Sequence, residues 1–267
     1  MTDRVLLGAS RRTFYECLEV ARENELGLEL QAFAYPDAFD GDWRELIDEY
    51  RVALDDLPGE LAMHGPFIDM AAGSPDLLVR NAVQQRIEQS LEIGAMLSVR
   101  TIVYHANFIA TIRNDHYRTD WTIRQVDFWG PLAERAQSLG LTLALENMWE
   151  FDPYIIQEVL RQVNSPSLMT CLDVGHASLF SSIDLDTWLD VMAPYLVHTH
   201  LNNNLGEIDE HRAFDDGVID YNEVLPKLRA MPLHPAFSLE IERVDDIRRS
   251  LPYLQLPRSA SLHHHST

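Results

Sequence analysis

Six short apolar runs in this chain each stop at a residue that could ligate a metal or move a proton. ELAMH ends at His64, TIVYH at His105, LTLALE at Glu146, LMTCLD at Asp173, LVHTH at His200 and AFSLE at Glu240. Two further clusters follow such runs: DVGH puts His176 three residues after Asp173, and DEHRAFDDG supplies Asp209 and His211. Hard carboxylate oxygens mixed with imidazoles suit several divalent metals, and Asp-x-His is a common way to hold one. Such an ion polarises a carbonyl or activates water, and a pair of carboxylates beside it can take and return a proton. The residue types therefore point to a metal-dependent enzyme.

These residues need a scaffold that brings the ends of distant runs together. Short apolar runs alternate with longer amphipathic stretches along the whole chain, the pattern of strand–helix units around a parallel sheet. Strands are expected near Val5–Gly8, Leu28–Ala32, Glu60–His64, Thr101–His105, Thr142–Glu146, Met169–Asp173, Val197–Leu201 and Ala236–Glu240. Eight such units predict an α/β fold of the (β/α)8 TIM-barrel type, with active sites at the carboxyl ends of the strands. Ser74-Pro75 and Asp152-Pro153 read as helix N-caps followed by proline at the first helical position. Val79, Val83, Ile87 and Leu91 recur every four residues as a helical stripe, and Gly140 should stop a helix before the fifth strand.

Alternation along the strands supplies an independent check. Glu146 shares its face with Ala144 and Thr142, His64 with Ala62, Asp173 with Cys171 and Glu240 with Ser238. Leu141, Leu143, Leu145, Leu172 and Leu239 fall on the opposite face. Small residues beside the ligand candidates suit a crowded barrel interior, and leucines suit the helix-covered outside. An open doubly wound sheet is the competing architecture, but no glycine-rich phosphate loop follows the first strand.

The 267 residues carry 42 acidic and 21 basic side chains, a formal net charge of −21, and Lys227 is the single lysine. Such a surface opposes the counterion release that drives nucleic-acid binding, although a high-salt or GC-rich source would explain the same composition. Cys17 and Cys171 offer neither a disulfide framework nor a zinc knuckle. With no membrane span or signal peptide visible, a cytoplasmic location is expected. A single domain over 1–257 is predicted, with 258–267, including His263, His264 and His265, as a disordered or tag-like tail.

In order and spacing, MHGPFIDM, VYHAN, ALEN, CLDVGHA, HTHLN, DEH and SLEIE resemble the xylose-isomerase-like TIM barrels. That superfamily includes sugar-phosphate isomerases and epimerases, and the endonuclease IV group (AP endonuclease family 2). The resemblance implies a central metal on Glu146, Asp173, His200 and Glu240. In the endonuclease-like arrangement Glu146 would bridge to a second metal on His64 and His105, and a third would sit on His176, Asp209 and His211. One to three divalent ions are therefore implied, with zinc or manganese favoured. Departures bear on substrate. His105-Ala106-Asn107-Phe108 and Asn147-Met148-Trp149-Glu150 differ from the endonuclease loops, and Gly206 stands where ketose epimerases usually carry an arginine, leaving Arg212 as a nearby substitute.

Alternatives to metal binding exist for each group: a buried ion-pair network for the carboxylates, substrate hydrogen bonds for His64 and His105, and substrate contacts or a capped loop for the His176 trio. His198 lies one layer deeper than His200 and reads as core; His116 and His234 read as loop histidines in solvent. Trp149, Phe67 and Phe108, with Arg212, are the candidates to contact substrate, although core packing would also explain the aromatics. The expected reaction is isomerisation or epimerisation, or a related lyase step, on a small carbohydrate-like carbonyl compound, with Glu146 and Glu240 as the proton-transfer pair. Endonuclease IV-like phosphoester cleavage is the alternative. Nucleic acid and membrane are disfavoured as partners, and a homo-oligomer is left open.

Overall fold

The computed structural model describes residues 2–256, so the expected tail lies outside the described residues. Eight strands run Val5–Ala9 (β1), Gly27–Leu30 (β2), Leu61–His64 (β3), Thr101–His105 (β4), Thr142–Glu146 (β5), Leu168–Asp173 (β6), Leu196–Leu201 (β7) and Ala236–Leu239 (β8). They close into a barrel in sequence order, with every neighbouring pair parallel. The architecture is the (β/α)8 barrel, and the open-sheet alternative is excluded.

The two strand faces divide as their residue sizes predict. Leu141, Leu143, Leu145, Leu172 and Leu239 join the large cluster between strands and helices. The interior holds small groups instead: Leu6 with Ala62 and Ala236, and Val103 with Ala144 and Cys171. Outside the barrel, Trp121, Trp129 and Trp188 are fully buried. Removing a large apolar side chain from water contributes on the order of 1.5–3 kcal/mol, so this outer layer does most of the apolar stabilisation and leaves the interior free for polar groups.

Three local expectations shift. The helix Leu77–Leu97 is capped by Asp76, whose carboxylate accepts the Leu78 N–H at 2.8 Å, while Ser74 Oγ accepts from the Asp76 N–H. Pro75 thus precedes the cap and does not begin the helix. Val83, Ile87 and Leu91 are buried in that helix, but Val79 lies on the exposed first turn. The helix Tyr154–Val163 has Pro153 at its N-cap, and Asp152 Oδ1, one residue earlier, accepts the Ile155 N–H at 3.2 Å, so this proline too precedes the helix. Gly140 has a φ of +72° between the helix Asp115–Ser138 and β5, a conformation L side chains adopt only at a penalty. Among the described residues no helix is long and apolar enough to cross a membrane.

Candidate metal centre

Period-two alternation and the parallel register deliver the candidates to one end of the barrel. Glu146 pairs across to His105 and Cys171, and Asp173 to His200, which in turn pairs with Ser238. Glu240 follows immediately after β8. Ligand-type atoms of Glu146, Asp173, His200 and Glu240 lie within 4.8 Å of one another, as do those of His64, Glu146 and His200. A separate group forms from His176, Asp209 and His211. His105 joins the inner side, its Nε2 3.1 Å from Glu146 Oε2. All nine candidates converge.

The ring nitrogens show a consistent arrangement. His64 Nδ1 is 2.8 Å from Gly65 O, His176 Nδ1 2.9 Å from Asn147 O and His211 Nδ1 2.7 Å from Glu240 O. A carbonyl only accepts, so each Nδ1 carries a proton and donates. Each Nε2 then faces a carboxylate: His64 towards Glu146 Oε2 at 3.4 Å, and both His176 and His211 towards Asp209 Oδ2 at 3.0 Å. His200 is reversed. Its Nε2 donates to Glu29 Oε1 at 2.9 Å, and its Nδ1 lies 3.0 Å from both Glu146 Oε1 and Glu240 Oε2. Anchoring one imidazole nitrogen while aiming the other at a shared point is how metal-ligating histidines are oriented.

Two buried oxygens, Glu146 Oε2 and Asp209 Oδ1, have no hydrogen-bond partner among the described residues. A buried carboxylate oxygen without a partner is costly. Glu146 Oε2 lies where His64 and His105 point their Nε2 atoms, and Asp209 turns its other oxygen to His176 and His211, so the donor set fits a cation. Without one, the surrounding carboxylates favour a second proton on His64, His176, His200 and His211. Burial alone would lower the His211 pKa, but Asp209 and Glu240 push it up to about 10. His176 is raised well above the usual imidazole range in the same way, chiefly by Asp173 against the effect of burial. Burial would also raise the Glu240 carboxyl, yet His200 and His211 bring it down to about 2. Asp173 moves to about 6, because burial and the nearby Glu146 and Glu240 outweigh His176.

The supporting residues tie strand ends together. Asp173 Oδ1 accepts the His176 N–H at 2.6 Å and thereby caps the helix Val174–Phe180 that carries His176. Its Oδ2 accepts from Asn202 Nδ2 at 2.9 Å. A side chain on Gly175 would meet Asn202 Oδ1 at 2.0 Å, which explains the glycine of DVGH. Asn147 exchanges two hydrogen bonds with the Asp173 backbone. Buried Glu150 accepts the Phe108 and Met148 N–H groups, joining the loops after β4 and β5.

A cavity of about 710 Å³ opens over this floor, lined by His64, Phe67, His105, His176, His211 and Glu240, among others, with Arg11 and Arg12 on its rim. Phe67 stands against His105, ring centroids 4.8 Å apart. The other sequence candidates for substrate contact fall elsewhere. Phe108 is buried against Trp121, Tyr117 and Phe151. The Arg212 guanidinium is engaged by Glu210 and Asp216. Trp149 is 46% exposed and, like Phe108 and Arg212, does not line the cavity. His198 is fully buried, its Nε2 2.7 Å from Glu29 Oε2, and His116 lies on the first turn of a helix, exposed. Glu29 and Gln31, whose Nε2 donates to Glu240 Oε1 at 2.7 Å, escaped the sequence reading. Their signal was two polar residues on the inward face of LGLELQ.

A family model described as a xylose isomerase-like TIM barrel matches residues 15–256. The uncharacterized protein MJ1311 of Methanocaldococcus jannaschii is 26% identical over 218 residues, covering 79% of this chain and 72% of that protein. Among solved structures, the TTHB071 protein from Thermus thermophilus, soaked with ZnCl2, is 28% identical with a TM-score of 0.79, over 94% of this chain and 96% of that one. A D-tagatose 3-epimerase-like protein is 21% identical with a TM-score of 0.77, over 94% of each chain.

Proposed function

This chain belongs to the xylose isomerase-like TIM-barrel family, and from that premise we propose that it is a metal-dependent isomerase or epimerase. Its substrate would be a small polyhydroxylated carbonyl compound, a sugar or sugar phosphate. The observation that carries this reading is the tetrad Glu146, Asp173, His200 and Glu240, gathered beneath a cavity large enough for a monosaccharide, which Glu240 lines. The likeness to a protein named as D-tagatose 3-epimerase-like agrees with it.

The tetrad would hold a divalent ion, zinc or manganese, and one or two further ions would fall to His64 with His105 and to His176, Asp209 and His211. When bound, such an ion supplies Lewis-acid polarisation of a carbonyl and its neighbouring hydroxyl. Glu240 reaches the cavity, with 14% of its side chain exposed, while Glu146 is fully buried behind it. Glu240 would take the proton from the carbon beside the carbonyl, and Glu146 would be the second member of the proton-transfer pair. Gln31 holds Glu240 Oε1, which fixes the carboxylate's direction. Phe67 offers an apolar wall to a sugar ring, and Arg11 and Arg12 would favour a phosphate at the rim.

Turnover of a panel of ketoses and their phosphates in deuterated water, with added zinc or manganese, tests the proposal. Deuterium entering at the carbon beside the carbonyl is expected. The assembly of all nine candidate ligands favours one other reading, multi-metal phosphoester cleavage of the endonuclease IV kind, which the charge of −21 opposes. Nicking of an abasic-site duplex with no exchange into any sugar would overturn the isomerase reading in its favour.

A further inference from the structure

β1 and β2 are the barrel strands that end in no ligand candidate, yet β2 sends a carboxylate into the centre. Glu29 is completely buried inside the barrel, and both its oxygens are occupied. Oε1 accepts from His200 Nε2 at 2.9 Å and Oε2 from His198 Nε2 at 2.7 Å. An ionised carboxylate has no proton to give, so both imidazoles must donate. This fixes the proton of His200 on Nε2 and leaves Nδ1 as the nitrogen that faces Glu146 and Glu240.

We propose that Glu29 is a positioning residue for the metal centre: it makes His200 a ligand through Nδ1, and His198 in turn holds Glu29 in place. The inference rests on the metal centre proposed above but not on the reaction assigned to it. His200 differs from His64, His176 and His211, which are anchored through Nδ1 by neutral backbone carbonyls and present Nε2. A carboxylate behind the ring makes the imidazole a stronger donor and adds negative charge behind the ion. Gln31, two residues on and on the same face, bonds Glu240. β2 and the residue that follows it supply no ligand candidate, yet they orient two of them. A glutamine at position 29 has one acceptor oxygen and one donor nitrogen, so it satisfies one histidine and opposes the other.

The test is zinc affinity of Glu29→Gln, measured by competition with a chelating dye, with circular dichroism to confirm that the metal-free variant is folded. The expected result is binding about 10–100-fold weaker than in the parent protein; unchanged affinity overturns the proposal. If the variant does not fold, nitrogen-15 histidine spectra of the zinc-loaded parent protein decide the matter alone. His200 should show zinc on Nδ1 and a retained proton on Nε2. Zinc on Nε2 of His200, including an ion shared by Glu29, His198 and His200, overturns it, as does failure to bind zinc. Glu29-dependent zinc binding in a protein that exchanges no sugar hydrogen would leave this inference standing and remove the isomerase reading.

Discussion

The inner and outer halves of the proposed metal centre are built from the same residue types but held in different ways. Glu146, Asp173 and His200 are fully buried at the ends of β5, β6 and β7, each strand paired on both sides. Asp209 and His211 sit on the loop after β7, with 21% and 26% of their side chains exposed. His211 has a φ of +50°, a left-handed conformation that costs an L residue about 1–2 kcal/mol. The loop is pinned by the Asn203–Arg212 bridge and by Asn203 Nδ2, which donates to the Phe214 and Ile219 carbonyls. Strand-held ligands are set in place by the fold itself. Asp209 and His211, held by a loop, need their own hydrogen bonds and a strained residue, which makes them the part that can be removed without disturbing the barrel, while His176 is buried on the helix Val174–Phe180.

The largest effect expected is that of Glu146→Ala, because Glu146 faces His64, His105, His176 and His200 together. It should abolish binding at the inner group and lower kcat/KM by about 10²–10⁴-fold or more, read by metal content and steady-state kinetics. His211→Ala should separate the halves. It is expected to release about one metal equivalent while the inner zinc affinity stays as in the parent protein. If both ions leave together, the two halves are one cooperative cluster and the contrast fails.

A pH series sharpens the same contrast. The metal-free His211 pKa is raised from 6.5 to about 10, so its contribution to stability is complete below 6.5 and is lost as pH rises through about 10. The Glu240 pKa is lowered from 4.5 to about 2, so its contribution is present above 4.5 and is lost as pH falls through about 2. For these two groups the metal-free protein is therefore best served between pH 4.5 and 6.5. Zinc must displace the imidazole protons, so the rise in Tm on adding zinc should be larger at about pH 9 than at about pH 6. Calorimetry with and without zinc checks this, and an equal rise at both values would contradict it. The smallest effect belongs to Arg212→Ala: with its guanidinium held by Glu210 and Asp216, KM should be unchanged. A raised KM would return Arg212 to the substrate side.

Much of this was legible in the sequence because a parallel barrel enforces two simple rules. Side chains alternate between inside and outside, and strand ends meet at one mouth. Thus TLALE alone places Glu146 inward, and similar runs place the other strand-end candidates. Boundaries slipped by a residue or two where backbone bonding, unlike side-chain type, decides them: Ala32 belongs to a short 3₁₀ turn, Glu60 lies just before β3 and Glu240 just after β8. Glu29 is hard to read as a site residue because its partners lie 169 and 171 positions away and only its place on an inward strand face marks it. Phe108 and Arg212 are close in sequence to ligand candidates, but proximity along a loop does not say which way a side chain turns. Phe108 packs into an aromatic cluster and Arg212 finds local carboxylates.

The most direct test of the metal centre is anomalous scattering from crystals of the protein grown with zinc. The strongest peak is expected within about 2.0–2.3 Å of ligand atoms from Glu146, Asp173, His200 and Glu240. No peak there, or one confined to His176, Asp209 and His211, would contradict the account.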